Sequence, residues 1–150
     1  MVLQGSSDNG CMGVSPTELA ERAVEHFNRD FGDLSPGSVP ADTRALWVDE
    51  PVIVPLRAAL EGTVYSGPDA LEDFHAASVE SWDSLRIDAE GFETVGEAAC
   101  VVSGTLNGRG RATGAETRMT VAFVIEVASD RIAAARIFPS REAALEAASA

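Results

Sequence analysis

A chain of 150 residues with 45% hydrophobic content is long and apolar enough for one domain with a real core. Its formal charge is −13, and all 11 basic residues are arginine. This argues against a DNA or RNA partner, which needs a basic patch, and against anionic membrane surfaces.

Residues 1–14 are rich in Gly, Ser, Asn and Asp, lack periodicity and are expected to form a flexible tail. They show neither the basic n-region nor the apolar h-region of a signal peptide. No apolar run approaches the ~20 residues of a membrane helix, so a cytoplasmic protein is the expectation. Cys11 in the tail and Cys100 in an apolar run form neither a disulfide framework nor a metal set, and no cofactor is expected.

The domain is expected over residues 15–150. Ser15-Pro16-Thr17-Glu18 is a helix start: a capping serine, proline at the first helical position and a glutamate closing a capping box. Leu19, Ala23, Phe27 and Phe31 follow as one apolar stripe. His26 lies off that stripe near Arg22 and reads as a solvated surface residue.

Gly32 to Pro40 is a loop, and a short second helix is predicted over Ala41–Val48, burying Leu46 and Trp47. Asp49-Glu50-Pro51 closes it, because proline disfavours helical geometry in the residue before it. Val52–Leu56 is a short β segment, and Pro55 within it suggests a sheet edge. After the turn-rich Glu61–Gly67, Pro68 opens a third helix. Its buried stripe is Leu71, Phe74, His75, Ser78, Val79 and Trp82.

Strands are predicted over Leu85–Ala89 and Glu97–Leu106, then a hairpin tip over Asn107–Ala115. The clearest strand is Met119–Val127. Met119, Val121, Phe123, Ile125 and Val127 form one wholly apolar face, in strict alternation with the other. Arg131–Phe138 completes an antiparallel meander, and Ser140 caps a last helix, Arg141–Ala148. This order gives an α+β domain with helices on one face of a curved sheet.

Several of these runs resemble the SnoaL-like branch of the nuclear transport factor 2-like (NTF2-like) superfamily. They are Leu46-Trp47-Val48-Asp49-Glu50-Pro51, Gly62-Thr63-Val64-Tyr65-Ser66-Gly67, the helix end at Trp82, Gly108-Arg109-Gly110-Arg111-Ala112-Thr113-Gly114, and Ile132 to Phe138 with Pro139, Arg141 and Ala144-Leu145. The resemblance covers about residues 15–148. It implies a cone-shaped α+β barrel, its curved antiparallel sheet wrapped around the N-terminal helices over an apolar pocket. It also implies a homodimer through the outer sheet face, here Thr120, Ala122, Val124 and Ala134, ringed by Arg118, Glu126 and Arg136.

Fold alone does not settle activity, because the superfamily holds ketosteroid isomerases, polyketide cyclases, epoxide hydrolases and domains with no known reaction. By the resemblance, the isomerase base falls on Pro55 and its second acid on Phe123, and neither can transfer a proton. Trp47 stands where those enzymes have a tyrosine. The inward aspartates of the cyclases and epoxide hydrolases have no counterpart on the strands from Glu97 onward. No catalytic residue is therefore assigned.

The polar groups expected near the lumen are His75 on its buried stripe, Arg57 two residues after Pro55, and Tyr65. With Trp47 and Phe123 they are the expected ligand-binding set. Three functions remain open. The first is a pocket for a small hydrophobic molecule. The second is an isomerase- or cyclase-like enzyme using His75 as base and Arg57 as anion stabiliser. The third is a dimerisation or accessory domain with a filled core.

Overall fold

The computed structural model describes residues 15–55 and 64–149. The expected tail over residues 1–14 lies outside them. The elements are α1 (Pro16–Phe31), α2 (Ala41–Arg44), β1 (Trp47–Val54), β2 (Tyr65–Ser66), α3 (Ala70–Ser81), β3 (Trp82–Val95), β4 (Ala99–Gly110), β5 (Glu116–Ala128), β6 (Arg131–Phe138) and α4 (Arg141–Ser149).

α1 starts where the capping pattern placed it: Glu18 N donates to Ser15 Oγ at 3.1 Å. Leu19 and Ala20 on its inner face are fully buried, and Ala23, Val24 and Phe27 continue the stripe onto the sheet. α4 likewise begins at Ser140, whose Oγ accepts from Ala143 N at 3.1 Å.

Six strands form one sheet in the order β2-β1-β6-β5-β4-β3. β3 to β6 are the expected antiparallel meander. β1, however, pairs parallel with β6, so the sheet is mixed rather than wholly antiparallel. Side-chain alternation reports which face a residue takes, not the direction of its neighbour, and so could not show this.

Other boundaries move for local reasons. The second helix stops at Arg44, and Trp47 to Val54 is strand, so Trp47 belongs to the sheet rather than to a helix end. Pro51 falls inside β1 at a register shift between Trp47 and Val52, where a residue without an N–H is tolerated. Pro55 follows the strand and is buried. Pro68 sits in the turn before α3, next to Gly67 at φ +95°, a conformation that favours glycine. β3 runs unbroken for 14 residues, with a bulge between Ala89 and Gly91.

The inner face of β5 is the heart of the core. Phe123 pairs in register with Val102 on β4 and Ile137 on β6, and Ile125 pairs with Cys100 and Ala135. On the opposite face, Val101, Ala122 and Val124 are fully buried beneath Ala144 of α4, with Leu145 and Ala148 alongside. Ala122 and Val124, expected as dimer contacts, are thus covered by the chain's own last helix.

Two side chains brace the meander where α3 runs into it. Arg111 in the β4–β5 turn donates to the carbonyls of Val79, Leu34 and Trp82 at 2.6–2.8 Å and pairs with Asp83 at 2.8 Å. Trp82 packs against Gly108, where an added Cβ would lie 2.6 Å from the indole. Among the described residues, no helix is long and apolar enough to cross a membrane.

Candidate functional site

Between α1 and the inner face of the sheet lies a cavity of about 100 Å³. Its floor is the two in-register rows of the sheet: Val102, Phe123 and Ile137, then Ile125 and Ala135, with Ile53 of β1 beside Ala135. Ala23, Val24, Phe27 and Phe31 of α1 form the roof. Leu46 and Trp47 close one end, and Leu71 and Phe74 of α3 another. The alternation read from the sequence produces this floor directly, because side chains at i and i+2 share one face of a strand.

Aromatic rings brace the α3 side. Phe27 stacks on Phe31 with centroids 4.3 Å apart, and Phe31 meets Phe74 at 5.6 Å. Tyr65 and His75 stand one ring further back. Tyr65 meets Phe74 edge-on at 5.7 Å, and His75 meets Phe31 edge-on at 5.5 Å. Of the expected ligand-binding set, Trp47 and Phe123 are in the wall; Tyr65 and His75 support it from behind. His75 is 7% exposed, packed as a core histidine. Arg57 lies outside the described residues.

The polar part of the wall is elsewhere. His26, Asp30 and Thr43 all line the cavity where α1 faces α2. His26 is not the solvated residue that its place off the apolar stripe suggested. It is half-buried, with Nδ1 2.9 Å from Thr43 Oγ1. Asp30, one turn after His26, has a side chain only 7% exposed. Its Oδ2 accepts from Thr43 Oγ1 at 2.6 Å and its Oδ1 from Arg29 Nε at 2.8 Å. A carboxylate does therefore reach the hollow, but beside α2 and with both oxygens engaged.

Arg29 also donates to Thr43 Oγ1 at 2.9 Å and grips both oxygens of Asp42 at 2.7 and 3.0 Å. The hydrogen bonds that Arg29 donates to Asp42 and Asp30 hold its guanidinium above the usual arginine range. The same pairing keeps the Asp42 carboxyl below the usual carboxylate range. The sequence signal for this cluster was the i, i+4 pair His26 and Asp30, legible only once α2 is known to cross that face.

A second, more open groove of about 410 Å³ lies between α2, β1 and α3, and its charged residues are Arg44, Asp49 and Arg131. Arg44 is paired with Glu72, and Arg131 stands 3.5 Å from Asp49. Among the described residues no group of three His, Cys, Asp or Glu side chains could hold a metal ion.

No protein-family model matches the chain, and no curated protein matches it. Solved structures do. An NTF2-like protein from Burkholderia thailandensis superposes with a TM-score of 0.67 at 16% identity, covering 91% of this chain and 97% of that one. A protein from Jannaschia sp. CCS1, described as a candidate SnoaL-like polyketide cyclase, gives 0.64 at 18% identity, covering 93% and 99%. A protein of ketosteroid-isomerase-like fold from Catenulispora acidiphila, solved with trimethylamine, gives 0.64 at 11% identity, covering 85% and 88%. The fold of this chain is therefore NTF2-like.

Proposed function

We propose that the protein binds a small, mainly apolar molecule of single-ring size in the cavity between α1 and the sheet. The observation that carries the reading is the cavity's dimensions and lining: about 100 Å³, with aliphatic and aromatic side chains from α1, α3, β1 and β3 to β6 around it. Sites for drug-sized ligands run to roughly 300–1,000 Å³, whereas an apolar cavity of about 150 Å³ is enough to hold benzene. Size therefore decides between guests. A steroid or a fused polyketide is too large for this space; a single-ring compound is the upper end of its scale. The Catenulispora protein, of the same fold, was solved with a molecule smaller still.

The enzymatic alternative through His75 and Arg57 loses its base, since His75 packs behind Phe31 rather than in the wall. The filled-core alternative is disfavoured by the open volume left beside Trp47 and Phe123.

Calorimetric titration with toluene, p-xylene and a steroid tests the reading. The two single-ring compounds are expected to bind and raise the melting temperature, and the steroid to do neither. Binding of the steroid with no response to toluene would overturn the size argument.

A further inference from the structure

The apolar cavity and the open groove share a wall. Trp47 and Leu71 line both, so the two spaces lie on either side of the same two residues. Neither residue is fully buried, so neither is locked by packing on every side. The groove forms where β1 is irregular: Val48, Asp49 and Pro51, which line it, fall where the register of β1 on β6 shifts. Of its charges, Arg44 is neutralised by Glu72 of α3. Arg131 is held far more loosely. Its Nη1 stands 3.5 Å from both Asp49 Oδ1 and the Trp47 carbonyl, beyond the roughly 2.7–3.2 Å of an ordinary N–H···O bond. The Asp49 side chain is 98% exposed, and an ion pair that open contributes little. Among the described residues nothing hydrogen-bonds to Arg131 Nε or Nη2.

We infer that the ligand of the apolar cavity extends past Trp47 and Leu71 into this groove, and that Arg131 selects guests whose single ring carries a carboxylate on a short flexible chain. The inference rests on the cavity reading above. A guanidinium presents its donors as a planar fork, which fits a carboxylate through two parallel hydrogen bonds. The ring is buried among aliphatic and aromatic side chains while the carboxylate stays in the open groove. No charge then enters the apolar space, where it would be costly without a partner. The preference is diagnostic because the chain carries a net charge of −13. Without a particular cation to meet it, an anion is repelled relative to a neutral guest of the same shape.

Four probes, titrated calorimetrically into the full-length protein, separate the possibilities: 4-phenylbutyrate, 4-phenylbutan-1-ol, benzoate and toluene. The acid is expected to bind about fivefold more tightly than the alcohol of the same length, a ratio that falls toward one as salt is added. Benzoate, whose carboxylate cannot leave the cavity, is expected not to bind. Toluene should compete with 4-phenylbutyrate, because both rings use one space. Arg131→Gln should lose the preference for acid over alcohol while the toluene Kd stays within about twofold. Asp49→Asn, which removes the carboxylate opposing Arg131, should widen that preference. Opposite effects at two exposed positions cannot come from a general loss of fold. An acid-to-alcohol ratio unchanged in Arg131→Gln, benzoate bound as tightly as 4-phenylbutyrate, acid and toluene bound without competition, or toluene bound and neither phenylbutyl compound would each overturn the inference and leave the cavity reading standing. Failure of toluene and both phenylbutyl compounds to bind would overturn both.

Discussion

Asn28 and Ile87 are joined by two reciprocal hydrogen bonds: Asn28 Nδ2 donates to the Ile87 carbonyl at 2.9 Å, and Ile87 N donates to Asn28 Oδ1 at 2.7 Å. β3 is the last strand of the sheet, so its outer backbone groups have no strand partner. The carboxamide of Asn28 imitates one, satisfying a backbone donor and acceptor that would otherwise be stranded under α1. This clamp sets the distance of α1 from the sheet and hence the height of the cavity. Asn28→Ala should destabilise the fold by about 2–3 kcal/mol, two hydrogen bonds lost and two part-buried groups left bare. Urea denaturation measures it; a loss under about 0.5 kcal/mol would show that water replaces the carboxamide without cost.

The close approach of Trp82 to Gly108 makes a second prediction. A Cβ on residue 108 would meet the indole at 2.6 Å and Leu85 Cδ2 at 2.9 Å. Gly108→Ala should cost about 1–3 kcal/mol through overpacking. Trp82→Leu in the same chain should recover part of that loss, giving a measurable coupling in a double-mutant cycle.

Filling the cavity separates an open space from a packed one. Ala135 lies in register between Ile53 and Ile125 and faces the hollow. Ala135→Leu should leave stability unchanged or raise it by about 0.5–2 kcal/mol, as cavity-filling substitutions commonly do. It should also abolish toluene binding. If the space were already packed, the same change would instead destabilise by about 1–3 kcal/mol.

Much of this arrangement was legible in the residues. The cap at Ser15, the strict alternation from Met119 to Val127 and the last helix after Ser140 are local signals, and each survives because its apolar face finds the core that it needs. The share of the cavity floor that β5 supplies, Phe123 and Ile125, follows from that alternation alone. What local pattern could not carry was pairing at a distance. The parallel partnership of β1 with β6 leaves no mark on periodicity. Trp47 was read as a helix end because the turn at Ala45 and Leu46 is punctuated by neither glycine nor proline.

The site was legible in part for the same reason. Phe123 was placed in the lumen by its strand face, and Trp47 reached it by a different element from the one expected. His75 looked inward, but inward on α3 means against Phe31. His26 looked outward because α2 was not yet known to pack against it through Thr43. Asp30 was passed over as one acid among many in a strongly negative chain.

Acid pH should weaken the fold through two ion pairs. Arg29 lowers the Asp42 carboxyl from its ordinary value of 3.8, and Arg141 lowers Glu93 from 4.5. A carboxyl whose pKa is lower in the folded state contributes stability above its unfolded value, and that contribution is lost as pH falls through the folded one. Melting temperature should therefore fall as pH drops below about 4.5, the ordinary value for Glu93. Asp42→Asn and Glu93→Gln should each flatten that acid limb. The pairs are solvent-exposed, so added salt should shrink the effect. An acid limb unchanged in both variants would assign it to other carboxylates.

The most direct measurement uses the isoleucines. Ile53, Ile87, Ile125 and Ile137 line the cavity, whereas Ile132 is buried in the same core without lining it. In a methyl NMR titration with toluene, the account predicts saturable shifts at the δ1 methyls of the four lining residues and none at Ile132. Shifts spread equally over all five, or confined to Ile132, would contradict a guest held between α1 and the sheet.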